Sequence, residues 1–218
     1  MRRAPTLDTH FPNTIQHGAL AIPDGRSIAA PINELLKLPW ALRIVTQDWH
    51  PANHVSFASN HQDKKPFEQI DVPNPLNPQE SQTIVLWPDH CLQNSPGAAL
   101  VPELDASKID HVVKKGQDDR VEMFSAFRDA YQSPCVSTSD LASVLRSSSI
   151  KRAYIVGLAR DFCVKATALH AAAEGFNTTV LAEGTRGTDD NANAIEQYRK
   201  DLEKQGVRYM KIVDADIA

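Results

Sequence analysis

Four short stretches of the 218-residue chain gather residue types that do chemistry. The first is Asp48-Trp49-His50, with His54 four residues beyond His50. A carboxylate and imidazoles this close can converge on one borderline divalent metal such as zinc or iron. A His-rich polar loop gives the same letters, because D-x-H is a short motif. The second is Trp87-Pro88-Asp89-His90-Cys91, where His90 is a further candidate ligand. Cys91 reads first as a buried structural thiol, since free cysteine is among the most buried residue types. Trp87 is either a core anchor or a flat wall for an aromatic ligand. The third is Lys114-Lys115-Gly116. Strand alternation sends its two lysines to opposite sides, so at most one faces a site and a solvated pair is the ordinary alternative. The fourth is Cys163, which follows an apolar run and opens an Ala-rich helical stretch. A thiol at a helix N-terminus sits at the positive end of the dipole, which favours thiolate. The N–H groups of such a turn can also hold an oxyanion. The same residue serves equally as a small core side chain.

These residues need a scaffold, and the length suits one domain over 1–218. Residues 27–38 read as a helix, with Ile28, Ile32, Leu35 and Leu36 on one face and Pro31 in the first turn. Residues 42–46 are a short β-branched strand. A long polar loop is expected over 47–82, of the length that is functional or disordered in compact domains. Short strands are expected at 84–86 and 111–113, and a helix at 139–145. Then come a buried strand (153–158), a helix (162–174) stopped by Gly175, a strand (178–181), a helix (191–204) and a strand (207–213). This alternation predicts an α/β fold: a doubly wound parallel sheet with helices on both faces. Residues 1–17 offer no run of four apolar residues, so the opening strand is expected to be shortened or missing.

Composition narrows the partners. A hydrophobic fraction of 42% with 23% charged residues suits a globular chain. The net charge of −4 gives no reason to expect nucleic acid or an anionic membrane as partner. No apolar run approaches the roughly 18 residues that span a bilayer. The basic start, Met1-Arg2-Arg3, is not followed by the apolar stretch of a secretory signal. Three cysteines (Cys91, Cys135 and Cys163) suggest reduced thiols and an intracellular, cytoplasmic setting. Nuclear and peroxisomal compartments stay open, although Asp216-Ile217-Ala218 is no peroxisomal signal.

Five segments then stand out together: GALAIPDG (18–25), VTQDWHPANHVSFASNH (45–61), LWPDHC (86–91), KKG (114–116) and YIVGLARDFCVKATALHAAAEGF (154–176). In that order they resemble the nicotinamidase/pyrazinamidase branch of the isochorismatase-like hydrolases, the fungal forms above all. The resemblance implies amide hydrolysis of nicotinamide to nicotinate and ammonia, a step of NAD salvage, through a cysteine thioester. It implies Cys163 as nucleophile and Lys115 as the lysine of a Cys-Lys-Asp triad. It implies Asp48, His50 and His90 as ligands of one divalent metal, zinc first, with iron or manganese also compatible. His54 is then a further ligand or a neighbour of the ligands. Trp87 would stack on the pyridine ring, with Ala159, Asp161 and Phe162 near the oxyanion turn, where the family often has a cis peptide. A homo-oligomer is compatible with all of this.

One motif of the family is not matched. Relatives open with D-x-Q-x-D-F, whose first aspartate is the acid/base. Asp8 has the family's spacing to Gly18, but Thr9-His10-Phe11-Pro12-Asn13 does not continue the motif, and Phe11 is the only candidate for its ring-packing Phe. On one reading Asp8 is the triad carboxylate. On the other, the chain is a catalytically impaired or truncated homologue that binds metal and nicotinamide. A third reading is an amidase for another small carboxamide.

Overall fold

The computed structural model describes residues 20–217. A 3-10 turn over Gly25–Ile28 leads into α1 (Ala29–Leu36), whose buried face is Ala29, Ile32, Leu35 and Leu36. Pro31 falls in the first turn, where a missing N–H breaks no helix bond. The strand β1 (Ile44–Asp48) follows, with only Gln47 not fully buried.

The stretch expected as a loop holds regular structure. β2 (Gln69–Asn74) and β3 (Asn77–Val85) form an antiparallel hairpin, paired from Gln69↔Val85 to Pro73↔Ser81. Its strands are polar and largely exposed, so they carry no apolar alternation for a sequence reading to find. Side chains fasten the hairpin instead. The Glu80 carboxylate accepts from Gln132 N (2.7 Å), Ser133 N (3.1 Å) and Asn74 Nδ2 (2.9 Å). Ile84 and Val85 therefore end a hairpin strand and are not part of the parallel sheet.

β4 (His111–Lys115) lies parallel to β1, with Thr46 opposite Val113 and Asp48 opposite Lys115. α2 (Leu141–Ser147) starts where Leu141 N donates to Ser139 Oγ (3.1 Å). β5 (Arg152–Gly157) passes through a π-helical turn, Arg160–Val164, into α3 (Lys165–Ala173). β6 (Asn177–Thr185), α4 (Ala192–Glu203) and β7 (Arg208–Met210) complete the order. Asn191 caps α4 by accepting from Ala194 N at 2.9 Å. The strand expected over 207–213 is cut to β7 by a 3-10 turn at Ile212–Asp214.

β5, β6 and β7 pair in parallel, in that order. Alternation along β5 explains why its run is apolar throughout. Ala153 and Ile155 face α2, α3 and α4 through Leu141, Leu145, Ala168 and Leu202, while Tyr154 and Val156 share a core with Ile28 of the 3-10 turn and with Ile32 and Leu36 of α1. Ile44 of β1 and Val113 of β4 join the first of these cores. The fold is the α/β arrangement expected, with parallel strands and helices on both faces. Among the described residues no strand is hydrogen-bonded to both parallel groups. The expectation of a shortened or missing first strand concerns 1–17, which lie outside the described residues, as do Asp8 and Phe11. No helix among the described residues is long and apolar enough to cross a membrane.

Candidate active site

One cavity is bordered by Asp48 at the carboxyl end of β1 and by Leu158 and Ala159 just after β5, the place where open α/β sheets put ligands. It encloses about 620 Å³ including its mouth. Asp48, His50, His90, Trp87, Phe162 and Cys163 all line it.

Asp48 ends β1, and two residues later His50 is tied across to the second motif. His50 N donates to Cys91 O (3.0 Å), and Gln93 N donates to His50 O (2.9 Å). A further pair, Trp87 N to Ser56 O (2.7 Å) and Ala58 N to Trp87 O (2.9 Å), binds the two loops together. One ligand-type atom each from Asp48, His50 and His90 then falls within 4.8 Å of the others, and all three residues are buried. The surrounding carbonyls set the tautomers. His50 Nδ1 lies 2.9 Å from Gly116 O, and His90 Nδ1 lies 2.8 Å from Pro88 O. A carbonyl only accepts, so each Nδ1 carries a proton and each Nε2, when deprotonated, is the nitrogen that can offer a lone pair to a metal. Two imidazole nitrogens and a carboxylate fit a borderline divalent ion, with coordination positions left over for other ligands.

Charge on the three imidazoles is graded. Burial pulls His50 down, but the hydrogen bond and charge of Asp48 outweigh it and leave its pKa above the ordinary value. Burial, then the nearby His50 charge, lowers His90 to about 4 and His54 to about 3. His54 stacks on His50 at 4.3 Å between ring centroids and turns Nδ1 to Ser56 Oγ (2.8 Å). It stands beside the Asp48-His50-His90 cluster and is not one of its three members.

The lysines separate as strand alternation requires. Lys114 points out and lies over the Trp49 ring at 3.4 Å. Lys115 is 1% exposed. Its Nζ reaches Cys163 Sγ (3.3 Å) and Met123 O (3.3 Å) and pairs with Asp48. Cys163 sits in the π-helical turn one residue before that turn closes, so α3 itself begins at Lys165, three residues later than the sequence suggests. The turn follows a cis peptide between Leu158 and Ala159, and Phe162 N and Val164 N both donate to Ala159 O. Asp161 is turned toward Thr188. Cys91 is buried, and that burial pushes its thiol well above the ordinary value, in keeping with a structural role.

Part of the cavity wall is aromatic. Trp87 meets Phe162 edge-on at 5.0 Å, and Phe124 lies 5.5 Å from Phe162. Phe124, Glu122 and Thr188 line the cavity without having been singled out in the sequence. Glu122 and Phe124 lie on an irregular segment with no periodicity, and Thr188 follows β6 in a polar loop. Gly116 has a stronger role than its letter suggests. Its φ is +65°, and a Cβ there would stand 2.4 Å from His50 Cε1.

An isochorismatase domain model matches residues 16–208. The chain is 36% identical to the nicotinamidase of Saccharomyces cerevisiae over 197 residues, covering 87% of this chain and 90% of that one. Its fold matches the yeast nicotinamidase bound to the inhibitor nicotinaldehyde with a TM-score of 0.88 at 32% identity, over 95% of this chain and 99% of that one. It also matches the pyrazinamidase of Pyrococcus horikoshii in complex with zinc, with a TM-score of 0.72 at 27% identity, over 96% and 99% of the two chains.

Proposed function

The chain belongs to the isochorismatase domain family and its nicotinamidase branch, and from that premise we propose that it hydrolyses nicotinamide to nicotinate and ammonia, a step of NAD salvage. The observation that carries the reading is the shared cavity: a cysteine against a buried lysine, an aromatic wall, and an Asp-His-His cluster. The relatives' activity favours this over a homologue that only binds.

In this reading Cys163 is the nucleophile. Lys115, 3.3 Å from its sulfur, favours the thiolate. The sulfur attacks the carboxamide carbon, and backbone N–H groups of the turn after Ala159 hold the oxyanion. The C–N bond breaks, and ammonia leaves with a proton from an acid/base carboxylate. Asp8 is the candidate for that group by resemblance alone. Water then hydrolyses the thioester to release nicotinate and the thiol. Trp87 and Phe162, in edge-on contact with each other, form the aromatic surface on which the pyridine ring would pack, and Ala159 would border the carboxamide. Asp48, His50 and His90 would hold a divalent metal, zinc first among the candidates; bound there, it supplies a Lewis acid for the pyridine nitrogen or a water.

Ammonia release from nicotinamide by the purified chain tests the reading. Saturable turnover is expected. A folded, metal-loaded protein without turnover would overturn it.

A further inference from the structure

Arg160 is a buried charge that the chemistry above does not use. It opens the turn that carries Phe162 and Cys163, yet it is absent from the cavity lining and is 3% exposed. Its side chain points instead into the segment 186–191. Nη1 pairs with Asp190 at 2.6 Å, and Nη2 donates to Asp189 O at 2.8 Å. The guanidinium also lies over the Tyr198 ring at 5.5 Å. Its backbone N–H donates to Arg186 O at 2.7 Å. The next residue fastens the same segment from the other side: Asp161 accepts from Thr188 N (3.1 Å) and from the Thr188 hydroxyl. Gly187 permits the fit, since a Cβ there would stand 2.7 Å from Arg160 Nη2.

Stability alone does not call for this arrangement. A buried ion pair often does no better than apolar side chains of the same volume. A guanidinium differs in offering donors in a rigid planar fork, which fixes geometry. Here the fork ties a polar strap to the turn that presents the sulfur, and the strap returns Thr188 to the cavity wall.

We propose that Arg160 is a positioning residue for the hydrolysis: by clamping 186–190 onto the turn 160–164 it holds Cys163 against Lys115. This rests on the reading of Cys163 as nucleophile. A displacement of about 1 Å in a reacting group costs about 100-fold in rate, so the clamp acts on kcat more than on ring binding.

Steady-state kinetics of Arg160→Leu, Arg160→Lys and Asp190→Asn test it. Arg160→Leu is expected to lower kcat by about 10- to 100-fold with KM changed less than about threefold. Arg160→Lys, which keeps the charge but not the planar fork, should recover only part of that loss. A parent-like kcat in Arg160→Leu, a change confined to KM, or a lysine variant as fast as the parent would each overturn the proposal. If Arg160→Leu does not fold by circular dichroism, Asp190→Asn decides, with kcat expected to fall about threefold and a parent-like kcat overturning it. If the parent chain itself shows no turnover, the nicotinamidase reading fails separately. The rate of Cys163 alkylation by iodoacetamide at pH 7, read by peptide mass, then decides. It should be at least about threefold slower in Arg160→Leu, because the thiolate reacts and Lys115 no longer favours it; an unchanged rate overturns the proposal.

Discussion

The wall that carries Cys163 and the wall that carries Asp48, His50 and His90 share one cavity but rest on different kinds of structure. Cys163 follows β5, a strand packed on both faces between two cores, and precedes α3, a helix buried through Thr167, Ala168 and Ala171. Packing frames its turn, with the proposed Arg160 clamp refining the sulfur's place within that frame. The ligand cluster rests on loops after β1 and β3, and backbone bonds such as His50 N to Cys91 O stitch those loops together. Its position is fixed by hydrogen bonds to carbonyls, among them Gly116 O and Pro88 O. Neither core includes the sulfur, so chemistry on the first wall should be removable without disturbing the second. The second wall should respond to changes of a single atom in its surroundings.

Cys163→Ala breaks the comparison most sharply. Removing the sulfur leaves the cores intact, so metal stoichiometry should stay at the parent value while nicotinamide turnover falls by at least about 10⁴-fold. Surviving turnover would mean another group is the nucleophile. His50→Ala is the counterpart on the other wall. Losing one of the three proposed ligands should weaken metal affinity by more than about 100-fold, measured by competition with a chelator. A metal content equal to the parent's would remove His50 from the site.

The two walls also differ in how far the sequence announces them. The strand, turn and Ala-rich helix around Cys163 are readable because every local signal agrees: an apolar run, good helix formers, and Gly175 at the stop with φ +88°. The Asp48-x-His50 spacing is readable as a metal motif but not as a geometry, because His90 meets it only through loop pairing. The hairpin β2–β3 is hidden, since side chains such as Glu80 and Asn74 hold it where a sequence reading looks for apolar alternation. Glu122, Phe124 and Thr188 are hidden for a related reason: irregular backbone brings them to the cavity, and no period marks it.

Gly116 tests whether the ligand wall depends on its carbonyl shell. Gly116→Ala puts a Cβ against the His50 ring and strains a backbone at φ +65°. The ring must turn away from Gly116 O, and metal affinity should fall about 10- to 100-fold. Turnover with saturating metal should recover toward the parent value, which Cys163→Ala cannot do. Affinity unchanged from the parent would show that the carbonyl does not orient the ring.

The smallest effect separates the walls by pH in metal-free protein. His54 and His90 titrate at about 3 and about 4 in the fold, against about 6.5 unfolded. Between those limits the unfolded chain binds more protons than the folded one, so acid favours unfolding. Their contribution is complete above pH 6.5 and drains away as pH falls toward 4. His50 acts in the opposite sense: its raised pKa stabilises the fold at low pH and is lost as pH rises through it. Two lowered groups outweigh one raised group, so the melting temperature should drop between pH 6.5 and 4.5, above the range where most carboxylates titrate. His54→Gln keeps a side-chain partner for Ser56 Oγ and removes one of the two. Its melting temperature should fall by fewer degrees over the same interval. A slope equal to the parent's would mean that His54 is not held neutral by its burial, and the graded charge of the ligand wall would then have to come from His90 alone.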